Sequence, residues 1–219
     1  LNEDYLNQRM QLFEKYYIPS ISSQKAENFK AIVLFHPDTP DKIKEKIKAY
    51  QNREDLKDKL IILYTPKEYY LLVKDVIQKY TSNKSWIIIT RCDNDDGFAF
   101  DYIETLRNYF VPINGYYINF KKHGRFVSAE NKYYEYNDSS GHFLSYVKRF
   151  YSNKPFAVEI FSQPHNWAKR NHPNFLNIKN KKTVCLEVVH DLNVVNGKNE
   201  RDIEKQNNEM LERFKINLT

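Results

Sequence analysis

The sequence predicts an α/β fold: a mostly parallel central sheet flanked by helices, with a smaller antiparallel part in the C-terminal half. Three observations carry this. Short apolar runs occupy 31–35, 60–64 and 86–90. Such runs mark strands buried on both faces. Helix-length stretches separate them, the pattern of βαβ crossovers. From Tyr116 onward, shorter strand-like runs alternate with turn residues, which is antiparallel in character.

The elements follow in order. Leu6, Met10, Phe13 and Tyr17 recur at helical spacing, so a helix opens the chain. Pro19 is expected to end it, because a proline pushes the preceding residue out of the α region. Ala31-Ile32-Val33-Leu34-Phe35 is the first strand. Asp38-Thr39-Pro40 then starts a helix whose buried face is Ile43 and Ile47. Leu60 to Tyr64 is the second strand. Thr65-Pro66-Lys67-Glu68 reads as a capping box leading a helix through Tyr69, Leu72, Val73 and Val76. Trp86 to Thr90 is the third strand, and Phe98 to Tyr109 is read as helical. Tyr116 to Phe120, Arg125 to Ala129 and Tyr133 to Tyr136 are short strands, with Lys122-His123-Gly124 as a turn. Ser139-Ser140 is placed as the cap of a helix through Phe150. Phe156 to Phe161 and Val184 to Val189 are strand-like. From Asn199 to Lys215, Ile203, Met210, Leu211 and Phe214 form a weakly amphipathic helix.

No repeat beyond the βα alternation and no low-complexity linker divides the 219 residues, so one domain is expected. A chain of this length can bury a core without staples. Two cysteines build neither a disulfide scaffold nor a four-cysteine zinc site, and read as reduced thiols in a cytoplasmic-type setting. No apolar run is long enough to span a bilayer. Lys and Arg number 34 against 28 Asp and Glu, a net charge of +6. That mild excess suits an anionic ligand, or loose peripheral contact with an anionic membrane.

The most informative segment is Asp93-Asn94-Asp95-Asp96, directly after the apolar strand Ile87-Ile88-Ile89. Three carboxylates in four residues repel one another unless a cation or donors compensate. In α/β sheets, ligands bind beyond the carboxyl ends of strands. A hard divalent ion, Mg²⁺ or Mn²⁺, takes oxygen ligands and bridges to a diphosphate. The ordinary alternative is a solvated acidic turn at a helix start. His190 follows the strand pattern Val184 to Val189 and can give a nitrogen to the same ion, or hydrogen-bond a phosphate. His165, in Gln163-Pro164-His165-Asn166-Trp167, is a comparable candidate; Trp167 can stack on a sugar or fill the core. Loop histidines without a ligand are the commoner case.

Other chemistries find no motif. There is no Walker loop or GxGxxG, no GxSxG elbow, no HExxH and no CxxC. A nucleophilic Cys92 would be suppressed by the three carboxylates that follow it.

The stretch Ile88-Ile89-Thr90-Arg91-Cys92-Asp93-Asn94-Asp95-Asp96 resembles the rhamnosyltransferase family, glycosyltransferases of the GT-A type. Further segments agree in order: Arg9-Met10-Gln11-Leu12-Phe13, Pro19 to Gln24, Phe29 to Pro40, Ile118-Asn119-Phe120, Phe143-Leu144-Ser145, Pro164-His165, and Val188-Val189-His190 with Asn193. The resemblance runs from Arg9 to Asn196. It implies a nucleotide-diphosphate sugar bound through Mn²⁺ or Mg²⁺. Asp95 would be the metal ligand, Asp93 would face the ribose or the metal shell, and His190 would return to the metal or diphosphate. Arg91, Asp96 and His165 would contact the donor. It also divides the domain into a donor half (1–110), an acceptor half (111–198) and a C-terminal helix (199–219). Two departures stand out. Members begin with a strand before the Arg9 helix, so the first strand is expected to be missing here. Asp191 stands where a small residue is expected.

The implied reaction moves a sugar, rhamnose by the family label, to the hydroxyl of a glycan, lipid-linked or protein acceptor. An inverting enzyme needs a carboxylate base. Asp138, Glu159 and Asp191 are the candidates, with Asp138 placed first. Two other classes stay open: a basic, non-catalytic binding module with a structural acidic turn, and a metal-dependent phosphodiesterase or nuclease, which gathers two metals. Nucleic acid is not an expected partner.

Overall fold

The computed structural model describes residues 2–66, 69–81, 86–139, 141–150, 160, 172–193 and 201–217. The chain opens with α1 (Glu3–Leu12), capped by the Asn2 side chain, which accepts from the Asp4 and Tyr5 N–H groups. A π-helical turn over Phe13–Tyr17 leads straight into α2 (Ile18–Ser22). The helical path therefore does not stop at Pro19. The Ile18 N–H reaches back to the Phe13 carbonyl, and this wider turn relieves the clash a proline ring makes with the carbonyl four residues earlier.

Next come β1 (Ala31–Phe35), α3 (Asp41–Gln51) and β2 (Leu60–Tyr64). The two strands pair in parallel and in register, Ala31 with Leu60 through Phe35 with Tyr64. Ile43 and Ile47 are the buried face of α3, as its spacing predicts. Then follow α4 (Tyr69–Thr81), β3 (Trp86–Thr90), β4 (Gly97–Phe98) and α5 (Tyr102–Arg107). Lys67 and Glu68 of the expected capping box lie outside the described residues. The helix expected from Phe98 is shorter, because Gly97 and Phe98 are taken up as a strand.

The remainder comprises β5 (Tyr116–Phe120), β6 (Lys122–Val127), β7 (Lys132–Asn137), β8 (Ser145–Arg149), β9 (Phe175–Ile178), β10 (Cys185–Val189), β11 (Ile203–Lys205) and α6 (Asn207–Phe214). Two expectations are corrected. Lys122-His123-Gly124 is strand, not turn: it pairs with Asn137, Tyr136 and Glu135 of β7. The segment read as a helix through Phe150 contains β8, a central strand between β3 and β5. Alternation explains this: Tyr146 faces one core and Val147 the other. Of the expected C-terminal helix, only Asn207–Phe214 is helical, and Met210 and Phe214 are its buried residues. The strand-like run 156–161 lies outside the described residues except for Ile160.

The fold is thus mixed α/β. Its sheets are β1-β2, the four-stranded β3-β8-β5-β9 and the five-stranded β11-β7-β6-β10-β4. They mix parallel and antiparallel pairs: β3 runs antiparallel to β8, while β5 and β9, and β6 and β10, are parallel. The first two sheets share both of their cores. Ala31 and Val33, Trp86 and Ile88, Ile118 and Phe120 face one apolar layer. Ile32 and Leu34, Ile87 and Ile89, and Tyr117 face the other. No helix among the described residues is long and apolar enough to cross a membrane.

Two buried polar groups in β6 matter for stability. Arg125 sits opposite Glu187 of β10 and reaches it through Nε and Nη2, each at 2.7 Å, with Asp202 on Nη1 and the Tyr136 ring 4.0 Å from the guanidinium. His123 is fully buried. Its Nε2 faces the Phe120 carbonyl at 2.6 Å, while Nδ1 has no partner among the described residues. Only glycine fits beside it at 141, where a Cβ would lie 2.3 Å from the imidazole Cε1. Burial, with the nearby His142 charge, pushes the His123 pKa down to about 4. The unfolded chain therefore takes up a proton near pH 6.5 that the folded chain refuses, so stability falls as pH drops through that window. Urea unfolding should show this term as a loss of about 2 kcal/mol between pH 7 and pH 5. His123→Gln should lose less than wild type over the same interval; an equal loss would count against it.

Candidate functional site

The acidic turn links two sheets. Arg91 to Asp96 leaves the end of β3, closes with the Asp96 N–H on the Asp93 carbonyl at 3.2 Å, and delivers Gly97 and Phe98 to β4. Because β4 pairs antiparallel with β10, the turn lies beside the end of β10, where His190 emerges. The Val188 N–H donates to Asp96 Oδ1 at 2.8 Å and fixes this closeness.

Asp95 and His190, both singled out in the sequence, meet here: His190 Nε2 lies 2.8 Å from Asp95 Oδ2. The Leu192 N–H donates to His190 Nδ1 at 3.1 Å, so Nδ1 is the acceptor and Nε2 carries the proton. Asn193 Oδ1 accepts from the His190 N–H and holds the turn. A third group arrives from α1, anchored through its buried neighbour Met10. Arg9 donates from NH1 to the same Asp95 Oδ2 at 2.6 Å and from NH2 to Asn94 Oδ1. Burial pushes the Asp95 carboxyl up, but the bonds from Arg9 and His190 outweigh it and hold its pKa below the ordinary value.

Asp96 stands behind this corner. It is buried, with Oδ1 on the Val188 N–H and Oδ2 3.2 Å from His142 Nε2. Burial raises its pKa to about 7. Burial works against charge on His142 too, but Asp96 reverses that and raises it. The pair supports the turn from beneath.

The other expected residues are placed less centrally. Asp93 is exposed and Arg91 half-buried. Asp191 is exposed, next to His190 at the corner. Asp138 follows β7, its N–H on the Lys121 carbonyl, in a stretch that is not the start of a helix. Glu159, His165 and Trp167 lie outside the described residues. Burial and the neighbouring carboxylates push the Cys92 thiol well above its ordinary pKa, which argues against a thiolate nucleophile. Arg9, Asn94 and His142 were not assigned a role from sequence; no short-range pattern ties Arg9 to a turn 86 residues away.

These placements test the expected divalent ion. Among the described residues no three His, Cys, Asp or Glu side chains gather as a ligand set. Both His190 nitrogens are engaged, and a guanidinium lies on the Asp95 oxygen an ion would take. As arranged, the donor set does not fit a resident cation. Asp95, Arg9 and His190 satisfy one another, while the exposed carboxylates Asp93 and Asp191 flank the set.

The model of the family described as "Putative rhamnosyl transferase" matches residues 1–207 of the chain. No curated protein matches it significantly.

Proposed function

The chain belongs to the putative rhamnosyl transferase family, and on that premise we propose that it moves a sugar, rhamnose or a related hexose, from a nucleotide-diphosphate donor to an acceptor hydroxyl. The observation that carries the reading is the family match over nearly the whole chain. The convergence of Arg9, Asp95 and His190 at a strand end supports it, since that is where open α/β folds bind ligands. A GT-A arrangement is our reading of the fold: the parallel β1-α3-β2 unit and the acidic turn after β3 are its supports.

In this reaction the bond between the sugar's anomeric carbon and the diphosphate oxygen breaks. A bond to the acceptor oxygen forms, and the acceptor's proton passes to a base. Charge builds on the departing diphosphate, so donors aimed at it speed the step. Arg9 and the turn around His190 are the groups available at this corner. Of the three carboxylates considered as base, Asp191 is the one beside it, and we place it first. The acceptor is a glycan, lipid-linked sugar or protein.

Calorimetric titration with UDP, GDP and dTDP, with and without Mn²⁺ or Mg²⁺, tests the reading, followed by donor-sugar hydrolysis. At least one nucleoside diphosphate should bind and its sugar should be slowly hydrolysed. If none binds under any condition, while polyanion binding falls steeply with salt, a basic binding module takes its place.

A further inference from the structure

We propose that Arg9 is the built-in cation that receives the donor's diphosphate at this site, in the place where a divalent metal would otherwise stand; the proposal rests on the glycosyltransferase reading above. Three features of the corner lead to it. The first is charge. Asp95 is neutralised by Arg9, and His190, whose Nδ1 accepts a backbone N–H, adds no negative charge. At Asp95 itself a divalent cation finds a carboxylate already compensated, whereas an anion finds a guanidinium held in place.

The second is geometry. Asp95 and Asn94 grip one nitrogen each of the Arg9 fork. A guanidinium has five N–H donors, so gripping it through two leaves others directed elsewhere. Bidentate presentation to phosphate oxygens is what this group does best. The side chains of Asp95 and His190 are 8% and 6% exposed, and that of Arg9 is 21% exposed. The anchor is therefore buried while the cation still reaches solvent.

The third is competition. Nε2 of His190 and NH1 of Arg9 share one oxygen, Asp95 Oδ2. An ion binding there would have to displace both the guanidinium and the Nε2–H donor from that oxygen, two unfavourable steps before any ligand arrives. Arg9 needs neither. Its role is that of a binding residue whose charge is held ready, so little reorganisation accompanies charge build-up on the leaving group.

The test is direct binding of UDP, GDP and dTDP to the full chain in EDTA and in Mn²⁺, for wild type, Arg9→Lys and Arg9→Met, with circular dichroism melting of each. Wild type should bind one of these diphosphates in EDTA with a Kd within about threefold of that in Mn²⁺. Arg9→Met should weaken binding roughly 10- to 100-fold, the scale of a lost charge-assisted bidentate contact, and Mn²⁺ should not restore it. Arg9→Lys, which keeps the charge but not the fork, should retain the fold and fall between. Binding by wild type that requires Mn²⁺ overturns the proposal and leaves the glycosyltransferase reading standing. So does undiminished binding by Arg9→Met and Arg9→Lys. Failure of wild type to bind any of the three under either condition removes the reading itself.

Discussion

Replacing Asp95 with alanine should reduce donor-sugar turnover by about 10²- to 10³-fold, the range seen when one preorganised charged group is lost from a reaction centre. Asp95 accepts from both Arg9 and His190, so its removal releases the two together. Among the described residues, Arg9 then keeps Asn94 as an anchor, and the His190 ring keeps its contact to the Leu192 N–H. The fold should survive with modest loss, because Asp96, not Asp95, ties the turn to β10. Asp95→Asn separates charge from shape: it can still accept from Arg9 but does not neutralise it. Its turnover should lie between those of wild type and Asp95→Ala. Steady-state rates with the best donor, beside thermal melts, decide this. An Asp95→Ala enzyme as active as wild type would remove the corner from the reaction.

Replacing Arg125 with methionine should cost about 3–5 kcal/mol of stability, the usual result of removing one partner from a buried ion pair. Glu187 and Asp202 would keep their charge in the interior without the guanidinium that now faces both. Their side chains are 5% and 1% exposed. For a chain of this size the melting temperature should fall by roughly 10 °C. Adding Glu187→Gln and Asp202→Asn to Arg125→Met should recover part of that, since the penalty lies in stranded charge. If the single variant melts like wild type, the buried network carries no weight.

The sequence is most legible where one physical signal dominates. β1, β2 and β3 are short, apolar and β-branched, and each was legible to the residue. Ile43 and Ile47 announced the buried face of α3. Partners were harder. β3 was expected beside the parallel strands, yet it pairs antiparallel with β8, a pairing across some 55 residues that no local pattern encodes. Glycine misled at 124: its turn preference lost to a close approach, because a Cβ there would lie 2.6 Å from the Tyr133 ring. Pro19 misled because a π-turn made room for it.

At the site, Asp95 and His190 were legible as types at strand ends. Arg9 was visible only as part of a helix, and His142 not at all. Their positions depend on tertiary contacts: Arg9 on the packing of Met10, His142 on a buried carboxylate. The expected ligand set of Asp93, Asp95 and His190 presumed that acidic residues near one another wait for a metal. An arginine from the far end of the chain can satisfy the same carboxylate.

The interleaving of β10 between β6 and β4 has a consequence for biosynthesis. During synthesis Arg9 emerges well before the acidic turn, and His190 follows Asp95 by 95 residues. Until Cys185–Val189 arrives, β6 and β4 each lack a neighbour, and the turn has no wall to rest against. Any product truncated before that strand should be inert and prone to associate through its bare edges.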